Sequence, residues 1–266
     1  MSELSVRPPA VAGQFYPANP DRLRVEIGRY IDQAALPAGL GTVRAVIAPH
    51  AGTVYSGPTA GYAFKALKHV ADGAGTVFLL GPAHRVAVDG VALGSYRAFR
   101  TPLGDVAVDV GRVSDMLEHP ALYSRSPGAH DFEHCLEVEV PFLQMVLSDF
   151  RLVPMLFGRV DPKQVALDLV DRVGQRDLLV VSSDLSHFYP YEAARRLDQG
   201  FLNALLEGDE RNVEAGEACG RAPVATLMKM AERLGWDPHL LDYRTSVDTA
   251  GDRSRVVGYA SVAYTG

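Results

Sequence analysis

Cysteine is nearly absent: Cys135 and Cys219 are the only two among 266 residues. A pair so far apart makes no disulfide framework, and each thiol is expected to be a buried, metal-binding or catalytic group. Lysine and arginine form no cluster, and 26 of them against 32 aspartates and glutamates leave a formal charge of −6. A nucleic-acid grip draws on basic clusters, so no nucleic-acid partner is expected. No apolar run approaches the roughly 20 residues of a membrane span. The amino-terminal "MSELSVRPPAVAGQFYP" has neither the basic start nor the continuous apolar stretch of a signal peptide, so the expectation is a cytoplasmic protein with no membrane partner. Internal repeats, low-complexity tracts and linkers are missing too. No G-x-S-x-G turn surrounds Ser182 or Ser183, which argues against a serine hydrolase.

What is present is an ordinary globular composition, 47% hydrophobic and 22% charged, arranged as strands alternating with helices. "RAVIAPH", "GTVFLLG", "DGVALGSY", "RLVPMLFG", "DLLVVSSD" and "RVVGYASVAY" read as strands, rich in Val, Leu and Ile and bounded by Gly, Pro or Asp. Helical patterns fill residues 20–35, 57–70, 108–119, 135–149, 161–173, 190–207 and 221–235. The fifth of these is headed by Asp161 and Pro162, a side-chain cap and a φ angle suited to a first turn. Residues 91–109 look like an antiparallel excursion turning at Pro102 to Gly104. These features predict one α/β domain over residues 1–266, a three-layer α/β/α sandwich around a central, mostly parallel mixed sheet.

The chemistry collects where strands run out. His50 follows "RAVIAP", His84 follows "TVFLLGPA", and His187 follows "DLLVVSSDLS", three residues after Asp184. Carboxyl ends of strands are where open α/β sheets place ligands. Neutral imidazole binds zinc, copper and iron, and two histidines plus one further ligand leave positions open for substrate. Asp184, a glutamate or the thiolate of Cys219 could complete such a set. His134, in "HDFEHCLEVEVPF", is a fourth candidate. Cys219 precedes a helix, where a thiol ionises more easily, whereas Cys135 reads as a small core residue. Glu133, Glu137 and Glu139 could do acid/base work; for Glu139 the simpler reading is a carboxylate favouring the helix dipole. "GDERNVEAGE" reads as a solvated helix face or loop.

In order along the chain, "RPPAVAGQFYPANPDRL", "APHAGTVYSGPTAGYAF", "LLGPAHR", "EHCLEVEVPFLQ", "SSDLSHF", "ACGRAPV" and "VVGYASVAY" resemble the Memo family, whose bacterial and archaeal members are called AmmeMemoRadiSam system protein B. The likeness runs from about Arg7 to Tyr264. It implies a fold similar to class III extradiol ring-cleaving dioxygenases, with one metal ion, iron or copper favoured and zinc possible, held by His50, His84 and Cys219. The dioxygenases complete their iron site with a carboxylate; the softer thiolate of Cys219 in that place shifts affinity toward copper or zinc. His187, helped by Asp184, is then the expected general acid/base, with His134 and Tyr55 on the substrate side. Two positions depart from the family pattern: Thr53 stands where an aromatic is usual, and Ala222 where some members have histidine.

The resemblance implies a metal-dependent redox enzyme of dioxygenase type acting on a small molecule or peptide. A metal-dependent hydrolase and a non-catalytic metal- or peptide-binding adaptor are the alternatives. The family's prokaryotic name further implies a functional link to a radical-SAM protein and an AMMECR-type protein.

Overall fold

The computed structural model describes residues 5–68 and 75–266. In chain order its elements are β1 (Ser5–Arg7), α1 (Pro20–Gln33), β2 (Val43–Ala48), α2 (Thr53–Lys68), β3 (Thr76–Pro82), β4 (Val91–Leu93), β5 (Tyr96–Thr101), β6 (Gly104–Ala107), α3 (Val110–Met116), β7 (Tyr123–Arg125), α4 (Pro127–Asp131) and α5 (Cys135–Val146). There follow β8 (Arg151–Phe157), α6 (Pro162–Arg172), β9 (Leu178–Ser182), β10 (His187–Tyr189), α7 (Tyr191–Glu207), α8 (Glu210–Ala215), α9 (Arg221–Leu234), β11 (Asp237–Thr245), α10 (Val247–Ala250) and β12 (Val256–Thr265).

The aliphatic runs form the centre because both of their faces are covered. β2, β9, β3 and β8 lie side by side and parallel, and β3 and β9 are buried along their whole length, as parallel strands between helix layers are. β12 joins β2 antiparallel and β4 joins β8 antiparallel, so the sheet is mixed, running β10-β12-β2-β9-β3-β8-β4-β7 with β11 along β12. Helices α1, α2 and α5 pack together as one layer and α6, α8 and α9 as another. This is the three-layer α/β/α domain read from the sequence. β9 separates β2 from β3, so the chain leaves β2 and returns one strand further on. The crevice at the carboxyl ends of β2, β9 and β3 is where such a sheet receives a ligand.

Several elements depart from the sequence pattern, each for a local reason. The strand expected over 89–96 stops at Leu93; the chain then leaves the main sheet and forms a second, three-stranded one, β1-β5-β6, with the expected hairpin pairing Thr101 to Gly104. Helix α2 starts at Thr53, a turn before Gly57 and Pro58; the last two residues of the expected 57–70 helix lie outside the described residues. Gly57 and Gly61 have another role: a Cβ there would lie 2.4 Å from the Tyr30 ring and 2.4 Å from the Tyr30 carbonyl oxygen, respectively. Their missing side chains let α1 lie directly on α2. Helix α5 ends at Val146, three residues short of Asp149. "GDERNVEAGE" contributes the short helix α8. β11 escaped notice because Pro238, His239 and Asp242 dilute its pattern, which an edge strand tolerates. No helix among the described residues is long and apolar enough to cross a membrane.

One charged residue is packed like core. Arg7 is 1% exposed. Its guanidinium donates to the carbonyl oxygens of His130 (2.7 Å) and Glu133 (2.6 Å) and to Glu137 Oε2 (2.7 Å). Glu137, equally buried, also accepts from the backbone amides of Ala10 and Val11 and from the Tyr16 hydroxyl. The pair fastens residues 7–16 across the start of α5. Removing one partner would strand the other charge in a dry interior. Arg7→Met is therefore expected to cost about 3–5 kcal/mol of unfolding free energy, read from urea denaturation monitored by far-UV circular dichroism. A loss below about 1 kcal/mol would show the ion pair to be dispensable.

Candidate metal centre

Three of the four histidines singled out in the sequence meet. His50 lies two residues beyond β2, His84 two residues beyond β3, and His134 immediately before α5. One ring nitrogen of each lies within 4.8 Å of the others, with ring centroids 5.0–5.4 Å apart. Cys219 Sγ, from the turn leading into α9, lies 3.4 Å from His50 Nε2. It touches the edge of the histidine group rather than completing it. The side chains grade from closed to open: His50 is 2% exposed, His134 15%, His84 28% and His187 36%.

The outward nitrogens are oriented by what holds the inner ones. His84 Nδ1 lies 2.9 Å from Glu133 Oε1, and the His84 backbone amide donates to Glu133 Oε2 at 2.6 Å. A carboxylate at Nδ1 demands a hydrogen there, which leaves Nε2 with its lone pair. Glu133 also accepts from the backbone amides of His134 and Cys135. Burial alone would raise its carboxyl, but the contacts from His134 and His84 outweigh that and hold it well below its ordinary value. His134 Nδ1 is 3.2 Å from the same oxygen without hydrogen-bond geometry, and remains a buried nitrogen with no partner. Burial first, and then the neighbouring His134 and His84, push His50 well below its ordinary value, so its ring is neutral near pH 7.

These features fit a transition-metal ion. The donors are imidazoles converging from separate loops with one soft sulfur at their edge, and one buried ring nitrogen is unpaired. Of the two readings open for Cys219, an easily ionised thiol before a helix or a buried one, burial prevails: burial first, and the Asp184 charge second, push its thiol up to about 12, so in the metal-free protein it is an S–H group. An overlapping trio, His84, Glu133 and Cys135, is chemically spent, because Glu133 is committed to its amides and Cys135 donates to the Pro82 carbonyl oxygen at 3.1 Å.

Asp184 ties the loops together. Its Oδ1 accepts from the His50 amide at 2.8 Å, its own amide donates to Cys219 Sγ at 3.2 Å, and its carbonyl oxygen accepts from the Cys219 amide. His187 Nε2 stands 3.9 Å from Asp184 Oδ2, beyond a direct hydrogen bond but within reach of a rotation. The histidine opens β10, and Phe188 beside it has φ 64°, a left-handed conformation costly for a bulky residue. Buried Asp198 accepts from the Ser186 amide and the Tyr243 hydroxyl and so holds this loop from behind. Tyr55 is 44% exposed in the first turn of α2.

Some of this was beyond the reach of pattern. The Thr53 hydroxyl donates to Glu26 Oε1, and its backbone amide donates to the Phe15 carbonyl oxygen at 2.7 Å. Phe15, which no sequence signal marked, packs its ring 4.8 Å from His134. Ser182 and Ser183, noticed only for lacking a nucleophile elbow, hold His50 Nδ1 (2.7 Å) and the Gly220 amide (3.0 Å). Glu139 is no helix-dipole carboxylate: it is wholly buried beside Ser182. A cavity of about 570 Å³ lined in part by Leu205, Met228, Trp236 and Tyr264 contains none of the candidate residues.

Comparison with known proteins gives the family. The family model described as "Memo-like protein" matches residues 7–263. The chain is 36% identical to a MEMO1 family protein of Archaeoglobus fulgidus, an alignment covering 97% of this chain and 99% of the relative. It is 34% identical to one of Sulfolobus acidocaldarius, with the same coverage, and 33% identical to one of Methanosarcina acetivorans, again over 97% and 99%. The protein belongs to the Memo family.

Glu133 yields a pH test. Because the folded carboxyl is more acidic than its ordinary value of 4.5, its stabilisation is complete above that pH and is lost as pH falls toward the folded value. Glu133→Gln is expected to cost about 1.5–3 kcal/mol near neutrality. In urea unfolding of the metal-free proteins, the gap from wild type should narrow as pH falls from about 5 to about 3. A gap independent of pH would show that the charge of Glu133 contributes nothing.

Proposed function

We propose that this Memo-family chain holds one transition-metal ion on His50, His84 and Cys219 and works as a non-haem metal-dependent oxidoreductase of dioxygenase type. The observation that carries the reading is the convergence of His50, His84 and His134 with Cys219 Sγ against His50 Nε2. Iron and copper suit this mixed imidazole and thiolate set, and zinc is the redox-inert alternative. Once bound, the ion would supply a Lewis-acidic, redox-active centre.

The remaining roles belong to the chain. Glu133 keeps the His84 ring turned with Nε2 outward, and Asp184 fixes the spacing between His50 and Cys219. His134, with Phe15 at its back, would form the wall facing the substrate, and exposed Tyr55 is the candidate to meet a substrate from α2. His187 is the most open of the four histidines, so its Nε2 is the atom that takes or gives a proton, with Asp184 Oδ2 3.9 Å away. A metal-dependent hydrolase shares this geometry, since His187 and Asp184 could equally activate a water. Oxygen dependence separates the two: with a catechol as probe, the metal-loaded protein should consume oxygen and stop under argon, and activity undiminished under argon would favour the hydrolase.

Two measurements test the site. Elemental analysis after anaerobic loading should find one Fe(II), Cu or Zn per chain. His50→Ala, His84→Ala and Cys219→Ser should each weaken binding at least about 100-fold, and binding that survives all three would remove the site. His187→Gln should leave affinity within a few-fold yet lower turnover by roughly 10²–10⁴; lost metal would instead make His187 a ligand. The raised Cys219 thiol adds a pH signature, because it must lose its proton to bind. Affinity should climb about tenfold per pH unit through neutrality, a slope that Cys219→Ser flattens.

A further inference from the structure

One hydroxyl behind the cluster has more partners than protons. Ser182, the last residue of β9, is wholly buried. Its Oγ stands 2.7 Å from His50 Nδ1, 2.7 Å from Glu139 Oε1 and 2.8 Å from the Cys135 carbonyl oxygen. A serine hydroxyl has one hydrogen to give and two lone pairs with which to receive. The Cys135 carbonyl can only accept. A hydroxyl that sent its hydrogen elsewhere would therefore press two lone pairs together at 2.8 Å in a dry interior, where an unmade hydrogen bond is costly. The hydrogen goes to Cys135, and the other two contacts become hydrogen bonds only if both neighbours donate. His50 must then carry its hydrogen on Nδ1, and Glu139 must be a carboxylic acid with Oε1 as its O–H.

Independent features agree with that count. Glu139 has no exposure, and its Oε2 has no hydrogen-bond partner. Such a bare oxygen is tolerable on a neutral acid and very costly on a carboxylate. Among the described residues no arginine, lysine or histidine pairs with it, in contrast to Glu137 two residues earlier, which has Arg7. Burial pushes the Glu139 carboxyl well above its ordinary range, and the Asp184 charge pushes the same way.

We propose that Ser182 and Glu139 are positioning residues for the metal centre: Glu139, as a protonated acid, and the His50 Nδ1–H both donate to Ser182 Oγ, which holds His50 with the Nε2 lone pair facing Cys219. The purpose assigned to the arrangement rests on the metal-site reading, but the hydrogen positions are a property of the metal-free protein. The two imidazoles are then held unequally. His84 leans on an ionised carboxylate, which makes a ligand more electron-rich, whereas His50 leans on a neutral hydroxyl.

The test begins without metal. Wild-type protein should show an infrared C=O band of a protonated carboxyl that Glu139→Gln removes. ¹⁵N-histidine NMR should show His50 bearing its hydrogen on Nδ1. Zn(II) titration supplies the functional arm. Ser182→Ala should weaken binding about 10–100-fold and Glu139→Leu roughly tenfold, while Glu139→Gln, whose amide can donate in place of the acid, should stay within about threefold of wild type. The proposal is overturned if no carboxyl band depends on Glu139 or if the His50 hydrogen sits on Nε2. It is also overturned if Glu139→Gln binds as poorly as Glu139→Leu. Should Ser182→Ala fail to fold, the infrared and NMR measurements on wild type and Glu139→Gln decide. Wild-type protein with the predicted band and hydrogen position but no affinity for Zn(II), Fe(II) or Cu would sink the metal reading and leave the hydrogen assignment standing.

Discussion

The Glu137 carboxylate receives four hydrogen bonds, from Arg7, the Ala10 and Val11 amides and the Tyr16 hydroxyl, and one whole side of the candidate site depends on it. Arg7 passes the constraint on, since its other donors grip the carbonyl oxygens of His130 and Glu133. The turn into α5 is thereby fixed, and with it the carboxylate of Glu133 that orients His84. The same strap brings Phe15 against His134 and lets its carbonyl oxygen accept from the Thr53 amide at the start of α2. A buried ion pair is seldom a net gain in stability over apolar packing. Its use here is geometric: it makes three distant segments agree on one position.

The opposite side is organised by polar groups at the ends of parallel strands. Where β2 and β9 finish, Ser182, Ser183 and Asp184 are buried, and the side chain of each is met by a neighbouring segment rather than by its own strand, Ser182 by His50 and α5. Ser183 takes the Gly220 amide, Asp184 takes the His50 amide, and the Ser186 carbonyl accepts from the Gly258 amide. Gly258 packs against Asp198 so closely that a Cβ would fall 2.1 Å from its carboxylate. These contacts leave the loop from Asp184 to His187 little freedom, and pre-organised groups of this kind suit a site that must hold one geometry. Apolar side chains such as Phe132 and Phe188, 73% and 59% exposed, stand outside this network.

Legibility in the sequence followed the type of interaction. The strands carrying His50 and His84 were readable because burial on both faces imposes runs of Val, Ile and Leu, and the histidines stood out as polar residues where those runs end. β11 was not readable, since an edge strand needs no such run. Cys219 was noticed for the helix that follows it, yet its acidity is governed by burial and by the Asp184 charge, neither of which is a local property. Glu133, Glu137 and Glu139 look alike in "EHCLEVEV", but one is an ionised tether for two histidines, one the partner of a buried arginine, and one an acid with no cation beside it.

By itself the sequence determined the alternation of strands and helices, the three-layer class, the family, and the edge of the sheet where the histidines gather. All of these follow from local composition, from periodicity and from residues in a recognisable order. Only the tertiary structure decided that His134 joins His50 and His84, that Cys219 touches His50 alone of the three, and that His187 stays apart near Asp184. It also decided which of the three glutamates has a cationic partner. Distances between loops and the desolvation of a carboxyl depend on what the fold packs around them, and residues far apart in the chain supply that surrounding.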